Sequence, residues 1–404
     1  MAAGYFQAGK AGERAAFELS IRRLPRNRDY VIVAGLPQAV DYLLSLSFLG
    51  GEIDYLRGLP QFARVSAGFF DYLRAFRFTG DVFAVPEGTA LNAGEPVLTV
   101  RAPLIEAQIP ETYLLSTLTF QTLIATKASR MVAAAQGRAV VEFGTRRAHT
   151  PEAGVLGARA AYIGGCAGTS NTLAGFRFGI PVFGTAAHSW VLSFADETEA
   201  FRRLQQVLGP STVHLVDTYD ALEGTRRAAA LGQPLWGIRL DSGDFAAQAR
   251  AARDILDSAG LHAARIMVSG DLDEHRIGEL VTAGAPVDAF GVGTELATSQ
   301  DAPSMGTVYK LVEIEGRPVA KRSESKITLP GVKQIFRFPD RDVVGLASEP
   351  CPEGAEALLR PVILGGELVE ELPGLESARA RAVREARPIQ HSRALAALIE
   401  QTHP

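Results

Sequence analysis

The stretch "VHLVDTYDALEGTRRAAALGQPLWGIRLDSGD", residues 213–244, carries a whole structural sentence. An apolar run stops at Asp217, a polar turn follows, and the next eleven or so residues are amphipathic and rich in alanine and arginine. "GQP" then punctuates the chain before a second apolar run that stops at Asp241. Strand, helix and strand within roughly 30 residues is a βα unit, and its two strands must lie parallel.

The same sentence recurs outward from this stretch. The runs "AVVEFGTRR", "IPVFGTAAHS", "ARIMVSGDLDE" and "VDAFGVGTELA" complete a series whose turns fall near residues 145, 188, 217, 241, 271 and 293. Strands alternating with helices imply an α/β fold on a parallel sheet. The expected architecture is a (β/α) barrel-like domain, an incomplete TIM-type barrel, over residues 111–304. A doubly wound sheet stays open, because closure leaves no mark in the sequence. Residues 1–110 and 305–404 read differently, with short strands such as "AFELSIRRL" and "KQIFRFP" and a charged helix in "LPGLESARARAVREA". They are expected to form a smaller α+β domain built from both termini.

Composition limits the function. At 404 residues, 47% hydrophobic and 21% charged, the chain has the make-up of a globular protein large enough for two domains. Forty-one basic against 45 acidic residues, with no long basic cluster, argues against a nucleic-acid partner. Cys166 and Cys351 lack CxxC spacing, so neither zinc nor a disulfide framework is expected. No apolar stretch approaches the ~18 residues of a membrane span, and the N-terminus lacks the pattern of a secretory signal, so a cytoplasmic location is expected.

Three motifs lead nowhere. "GYFQAGKA", residues 4–11, lacks the Ser/Thr of a phosphate loop; "GVGTEL", residues 291–296, lacks the third glycine of a dinucleotide fingerprint; and no G-x-S-x-G occurs.

The strand ends are richer. They supply Phe143, Arg146 and Arg147; Thr185 and His188; Asp217; Arg239, Asp241 and Asp244; Gly270 and Asp271; and Gly291, Gly293 and Thr294. Arginine forks suit phosphate or carboxylate, glycine turns expose backbone amides, and spaced carboxylates suit magnesium. The inventory fits a ligand with an aromatic ring, several phosphates and a metal. Each residue also has a plain structural reading: a histidine after a strand as a satisfied core residue, an aspartate as a helix cap, a phenylalanine as core. Polar chemistry at six successive strand ends is harder to explain by capping alone.

The segment "EFGTRRAHTPEAGVLGARAAYIGGCAGTSNTLAGFRFGIPVFGTAAHSWVLSF", residues 142–194, resembles the heart of the nicotinate phosphoribosyltransferase family. The resemblance continues through "LVDTYDALEGTRRA", "GIRLDSGDF", "VSGDLDE", "FGVGTELATS" and "KQIFR", and upstream through "LTFQTLIATKASRM" and "FELSIRRLP". It implies transfer of phosphoribosyl from 5-phosphoribosyl 1-pyrophosphate (PRPP) to nicotinate in NAD biosynthesis. Mg²⁺ is the implied metal, with ATP as co-substrate, and a homodimer with its site at the subunit interface is implied.

By the same resemblance His188 is the transiently phosphorylated histidine and Asp241 its catalytic companion. Phe143 stacks on the pyridine ring, with Thr185, Arg239 and Ser170 at the nicotinate. Arg146, Asp217, Gly270, Asp271, Gly293 and Thr294 hold PRPP, and Asp241 and Asp271 hold the metal directly or through water. Ser170 stands where nicotinamide-using relatives place an aspartate, which would repel a carboxylate, so serine favours the acid. The alternatives are a phosphoribosyltransferase for another heteroaromatic acid, with quinolinate phosphoribosyltransferase the weaker resemblance, or a non-catalytic PRPP-binding paralogue. The family's usual "TDLYxLT" opening is missing before "MAAGYFQAGK", and the expectation is a longer natural chain. The block "KRSESK", residues 321–326, is a further candidate for a neighbour's phosphates.

Overall fold

The computed structural model describes residues 1–321, 329–386 and 390–392, so of the block 321–326 only Lys321 lies within the described residues. The chain divides into two compact units, Met1–Leu123 with Ser304–Pro404, and Ile124–Pro303.

The second unit is built on six parallel strands. Their order is Gly168–Thr169, Ala139–Glu142, Ala289–Val292, Arg265–Ser269, Gly237–Leu240 and Val213–Leu215. The strand runs are buried almost throughout, with Val140, Val141, Ile238, Ile266, Val268 and Phe290 all at 1% exposure or less. Burial on both faces explains why they read as continuous apolar runs instead of alternating ones.

Helices Ala221–Leu231, Phe245–Ser258 and Glu274–Thr282 follow the strands, and each is capped by an aspartate. Asp220 accepts from Leu222 N and Glu223 N, Asp244 from Ala247 N, and Asp273 from Arg276 N. Side-chain capping satisfies amides left over in the first turn, worth about 1 kcal/mol each. The capping reading therefore holds for Asp244. In these turns a first aspartate leaves the strand end and a second one starts the helix.

The run "IPVF" departs from expectation. It forms only an isolated bridge, Thr169 to Val182, and no strand of its own. Pro181 has no N–H to donate, so the run cannot carry a full ladder. Its carbonyl instead accepts from Thr169 N, on the two-residue strand Gly168–Thr169 that no apolar run announces. Only glycine fits at 168, because a Cβ there would stand 2.3 Å from the Pro181 carbonyl oxygen.

The first unit is α+β, draws on both ends of the chain and takes up more of it than the parallel unit. Its seven-stranded sheet is antiparallel, with Gly306–Ile314 paired to Arg14–Arg23 and that strand paired in turn to Pro96–Pro103. Phe17, Leu19, Ile21, Leu98 and Val100 fill its core, and helix Leu36–Ser45 adds Leu36, Ala39, Val40 and Leu43 from one face. Lys333 and Glu18 form a buried ion pair at 2.8 Å.

Candidate active site

Arg239 is the third residue of the strand Gly237–Leu240, level with Leu215 on one neighbour and Met267 on the other. Its guanidinium is mostly buried and makes three side-chain bonds. Nε donates to Ser269 Oγ at 2.6 Å, Nη1 to Thr185 Oγ1 at 2.7 Å and Nη2 to Asp241 Oδ1 at 2.5 Å. A planar fork can join two strand ends and the Thr185 turn in this way, where a lysine could hold only a point contact.

Asp241 follows the end of the same strand. Burial pushes its carboxyl up, but the Ser269 hydroxyl, Arg239 and His188 outweigh that and hold it below the ordinary carboxylate range. It is therefore ionised at neutral pH. Its Oδ2 lies 3.7 Å from His188 Nε2, and His188 Nδ1 is 3.2 Å from the Thr218 hydroxyl. The imidazole opens the short helix His188–Leu192, and its side chain is 41% exposed, so one edge is held while the other stays accessible.

Asp217 braces the same corner. Its Oδ2 accepts from Asp241 N at 2.8 Å and from the Ser242 hydroxyl at 2.9 Å, while Oδ1 is buried with no partner among the described residues. An orphaned carboxylate oxygen beside the ionised Asp241 is an opening for a cation.

Phe143 leaves the end of strand Ala139–Glu142, and its ring centroid lies 5.7 Å from Arg239 Cζ. Gly291 makes room for that ring: a Cβ there would stand 2.7 Å from it. Phe143, Thr185, Ala186, Trp190, Trp236 and Met267 are among the residues around a cavity of about 510 Å³. One aromatic face, one hydroxyl and one guanidinium thus meet beside an apolar hollow of the size that small-molecule sites use.

The structure brings together Phe143, Thr185, His188, Asp217, Arg239 and Asp241. Others stand apart from this network. Ser170 is exposed, though its amide is held by the Glu142 carbonyl at 2.8 Å. Arg146 is exposed on the turn Thr145–Arg147. Gly270, at φ 100°, packs so tightly on the Asp241 carbonyl that a Cβ would come within 2.2 Å of its oxygen. Asp271 is exposed at φ 46°, and Gly293 and Thr294 begin the short helix Thr294–Ala297. Among the described residues no group of three or more His, Cys, Asp or Glu side chains is arranged to hold a metal ion.

Sequence reading missed Ser269, which joins Arg239 to Asp241, and Thr218, which orients His188. Each adjoins a residue that the sequence places at a strand end, Gly270 and Asp217, but a serine or threonine there has no spacing signature.

The comparisons with known proteins agree along the chain. Residues 1–119 match the nicotinate phosphoribosyltransferase N-terminal domain and residues 139–335 the nicotinate phosphoribosyltransferase family. Over 391 residues, 94% of this chain and 83% of the relative, the sequence is 43% identical to nicotinate phosphoribosyltransferase pncB2 of Mycobacterium tuberculosis. Against the human nicotinate phosphoribosyltransferase it is 32% identical over 95% of this chain and 88% of that protein. The crystal structure of human nicotinic acid phosphoribosyltransferase superposes with a TM-score of 0.86 at 29% identity, covering 100% of this chain and 98% of that one. The nicotinate-nucleotide pyrophosphorylase of Pyrococcus furiosus gives 0.79 at 29% identity, covering 95% of this chain and 92% of that one. The chain belongs to the nicotinate phosphoribosyltransferase family.

Proposed function

We propose that the protein transfers the phosphoribosyl group of PRPP to nicotinate, making nicotinate mononucleotide and pyrophosphate for NAD biosynthesis. The observation that carries this reading is the Arg239 fork, which fixes a guanidinium beside the Phe143 ring and the Thr185 hydroxyl. A pyridine ring stacks on the phenyl face while its carboxylate takes the guanidinium and hydroxyl donors. The pyridine nitrogen then attacks C1′ as the C1′–O bond breaks, and pyrophosphate leaves with the electron pair. Ionised Asp241 stabilises the positive charge that develops on the ribose ring. Gly270, Asp271, Gly293, Thr294, Asp217 and Arg146 are assigned to PRPP, and Ser170 to the choice of acid over amide.

His188 is assigned to ATP coupling. Its accessible nitrogen attacks the γ-phosphorus, ADP leaves, and the phosphohistidine is later hydrolysed to phosphate and the free imidazole. Magnesium fits the donors that remain. Mg²⁺ takes one or two carboxylates plus substrate oxygens, and the unpartnered Asp217 Oδ1 lies on the same corner as Asp241. Asp241 and Asp217 are the residues that would hold it, with Asp271, which stands apart from them, assigned to it only through water. When bound it neutralises charge on the departing pyrophosphate.

The parallel unit is read as the catalytic domain and as an incomplete barrel. Support comes from strand order: the last strand in sequence, Ala289–Val292, pairs with the first, Ala139–Glu142, as winding around an axis requires. A second copy of the chain is the proposed partner. Phe176 is 87% exposed, and Leu173, Val182 and Phe183 within eight residues of it in the chain are exposed too, apolar surface that suits a protein interface. No helix among the described residues is long and apolar enough to cross a membrane, and the proposed setting is the cytoplasm.

The test is product formation from PRPP and Mg²⁺ with nicotinate or nicotinamide, with and without ATP. Nicotinate mononucleotide formed faster with ATP is expected; no product from nicotinate overturns the reading.

A further inference from the structure

Glu142 ends the strand Ala139–Glu142 immediately before Phe143, and it is 2% exposed. Among the described residues its carboxylate has no ion-pair partner. Instead it accepts from two neutral donors, the Gly144 amide at Oε1 and the Thr169 hydroxyl at Oε2, the latter at 2.6 Å. Burial pushes its pKa up and those two donors oppose the rise.

Those donors belong to separate turns. Gly144 follows Phe143 and starts the turn that carries Thr145 and Arg146. It is wedged in place, because a Cβ there would stand 2.4 Å from Ala297 Cβ and 2.7 Å from the Gly293 carbonyl oxygen. Thr169 precedes Ser170, and its Oγ1 also accepts from Asn171 N at 2.9 Å. The Asn171 side chain then closes the circuit: its amide donates to Thr145 Oγ1 at 3.1 Å, and its oxygen caps the helix Thr172–Phe178 through Ala174 N. A single buried carboxylate therefore ties the turn of Phe143 and Arg146 to the turn of Ser170, with the Gly293 turn packed against it.

We propose that Glu142 is a positioning residue of the substrate site, holding the Phe143–Arg146 turn and the Thr169–Asn171 turn in the register at which pyridine and phosphate groups are bound together. The proposal rests on the phosphoribosyltransferase reading above. Glu142 touches no substrate in it; it acts through Phe143, Arg146 and Ser170. Removing the side chain leaves the Gly144 N–H and the Thr169 hydroxyl buried without their acceptor, and both turns are released. A glutamine of the same shape keeps the Gly144 bond through its carbonyl, and its amide donates to a re-aimed Thr169 hydroxyl.

The experiment measures KM for nicotinate and for PRPP, with kcat, in the full chain and in Glu142→Ala, Glu142→Gln and Thr169→Val. Glu142→Ala is expected to raise both KM values about tenfold, the net effect of leaving two buried donors without their acceptor, with a smaller change in kcat. Glu142→Gln should restore most of the loss, and Thr169→Val should reproduce part of it. Both KM values staying within about twofold in Glu142→Ala, with only the melting temperature lowered, overturns the proposal. If Glu142→Ala does not fold, Thr169→Val decides: unchanged KM values overturn it and raised ones support it. Wild-type chain that makes no nicotinate mononucleotide counts against the function itself, whereas active wild type with unaltered variants counts against Glu142 alone.

Discussion

The His188 imidazole is held between two strand ends, its Nε2 3.7 Å from Asp241 Oδ2 and its Nδ1 3.2 Å from the Thr218 hydroxyl. A histidine held at Nδ1, with Nε2 facing a carboxylate beyond hydrogen-bond distance and the side chain 41% exposed, is oriented without being sealed off, as the proposed phosphate acceptor requires. His188→Ala is expected to abolish stimulation by ATP while leaving a slow ATP-independent transfer. Initial rates with and without ATP check this, and undiminished stimulation in the variant removes His188 from the coupling.

Arg239 makes three side-chain bonds that lysine cannot copy. Arg239→Lys should lower kcat/KM for nicotinate by about 10- to 100-fold, the range of one or two charge-assisted hydrogen bonds. Steady-state kinetics with nicotinate varied at saturating PRPP gives the number; a change under about threefold would show that the guanidinium is structural only.

In the proposed reading, Ser170 sets the sign of the charge that the base pocket tolerates. In Ser170→Asp the nicotinate KM should rise several-fold, because a second carboxylate would face the first. The idea is lost if that KM matches the parent's.

Gly291 tests the seat of the aromatic ring. Its missing Cβ lies where the Phe143 ring passes, at 2.7 Å. Gly291→Ala must displace that ring, so the nicotinate KM should rise by about tenfold with less effect on PRPP. Equal effects on both substrates would point to a general loss of fold.

His214 makes stability depend on pH. It is fully buried on strand Val213–Leu215 against Phe201, both ring nitrogens lack a partner among the described residues, and burial lowers its pKa from 6.5 to about 4. The unfolded chain therefore binds a proton below about pH 6.5 that the folded chain refuses until about pH 4. Stability falls as pH drops through that window, by up to about 3 kcal/mol. His214→Leu should flatten the melting temperature measured between pH 7.5 and 5; a slope equal to the parent's refutes the assignment.

The βα alternation was legible because burial on both faces leaves unbroken apolar runs, and each run stops where the strand meets polar turn chemistry. The strand Gly168–Thr169 was not legible, since two residues of glycine and threonine carry no periodicity and are held by Glu142 and Pro181 across the fold. The isolated bridge at Val182 was over-read as a strand for the opposite reason: the run is apolar, but Pro181 removes a donor. Among the aspartates, position alone did not separate Asp241, which meets Arg239 and Ser269, from Asp244, which caps a helix three residues later.

By itself the sequence determined the α/β class, the family, and the side chains at the strand ends, because apolar runs, turn residues and long ordered motifs are local properties of the chain. Only the tertiary structure decided which of those side chains meet. Arg239, Thr185, Asp241 and Ser269 are joined across three segments, and Glu142 reaches two turns. Hydrogen bonds of 2.5–2.9 Å between residues far apart in sequence depend on strand register and order, which are set by the packing of the whole sheet.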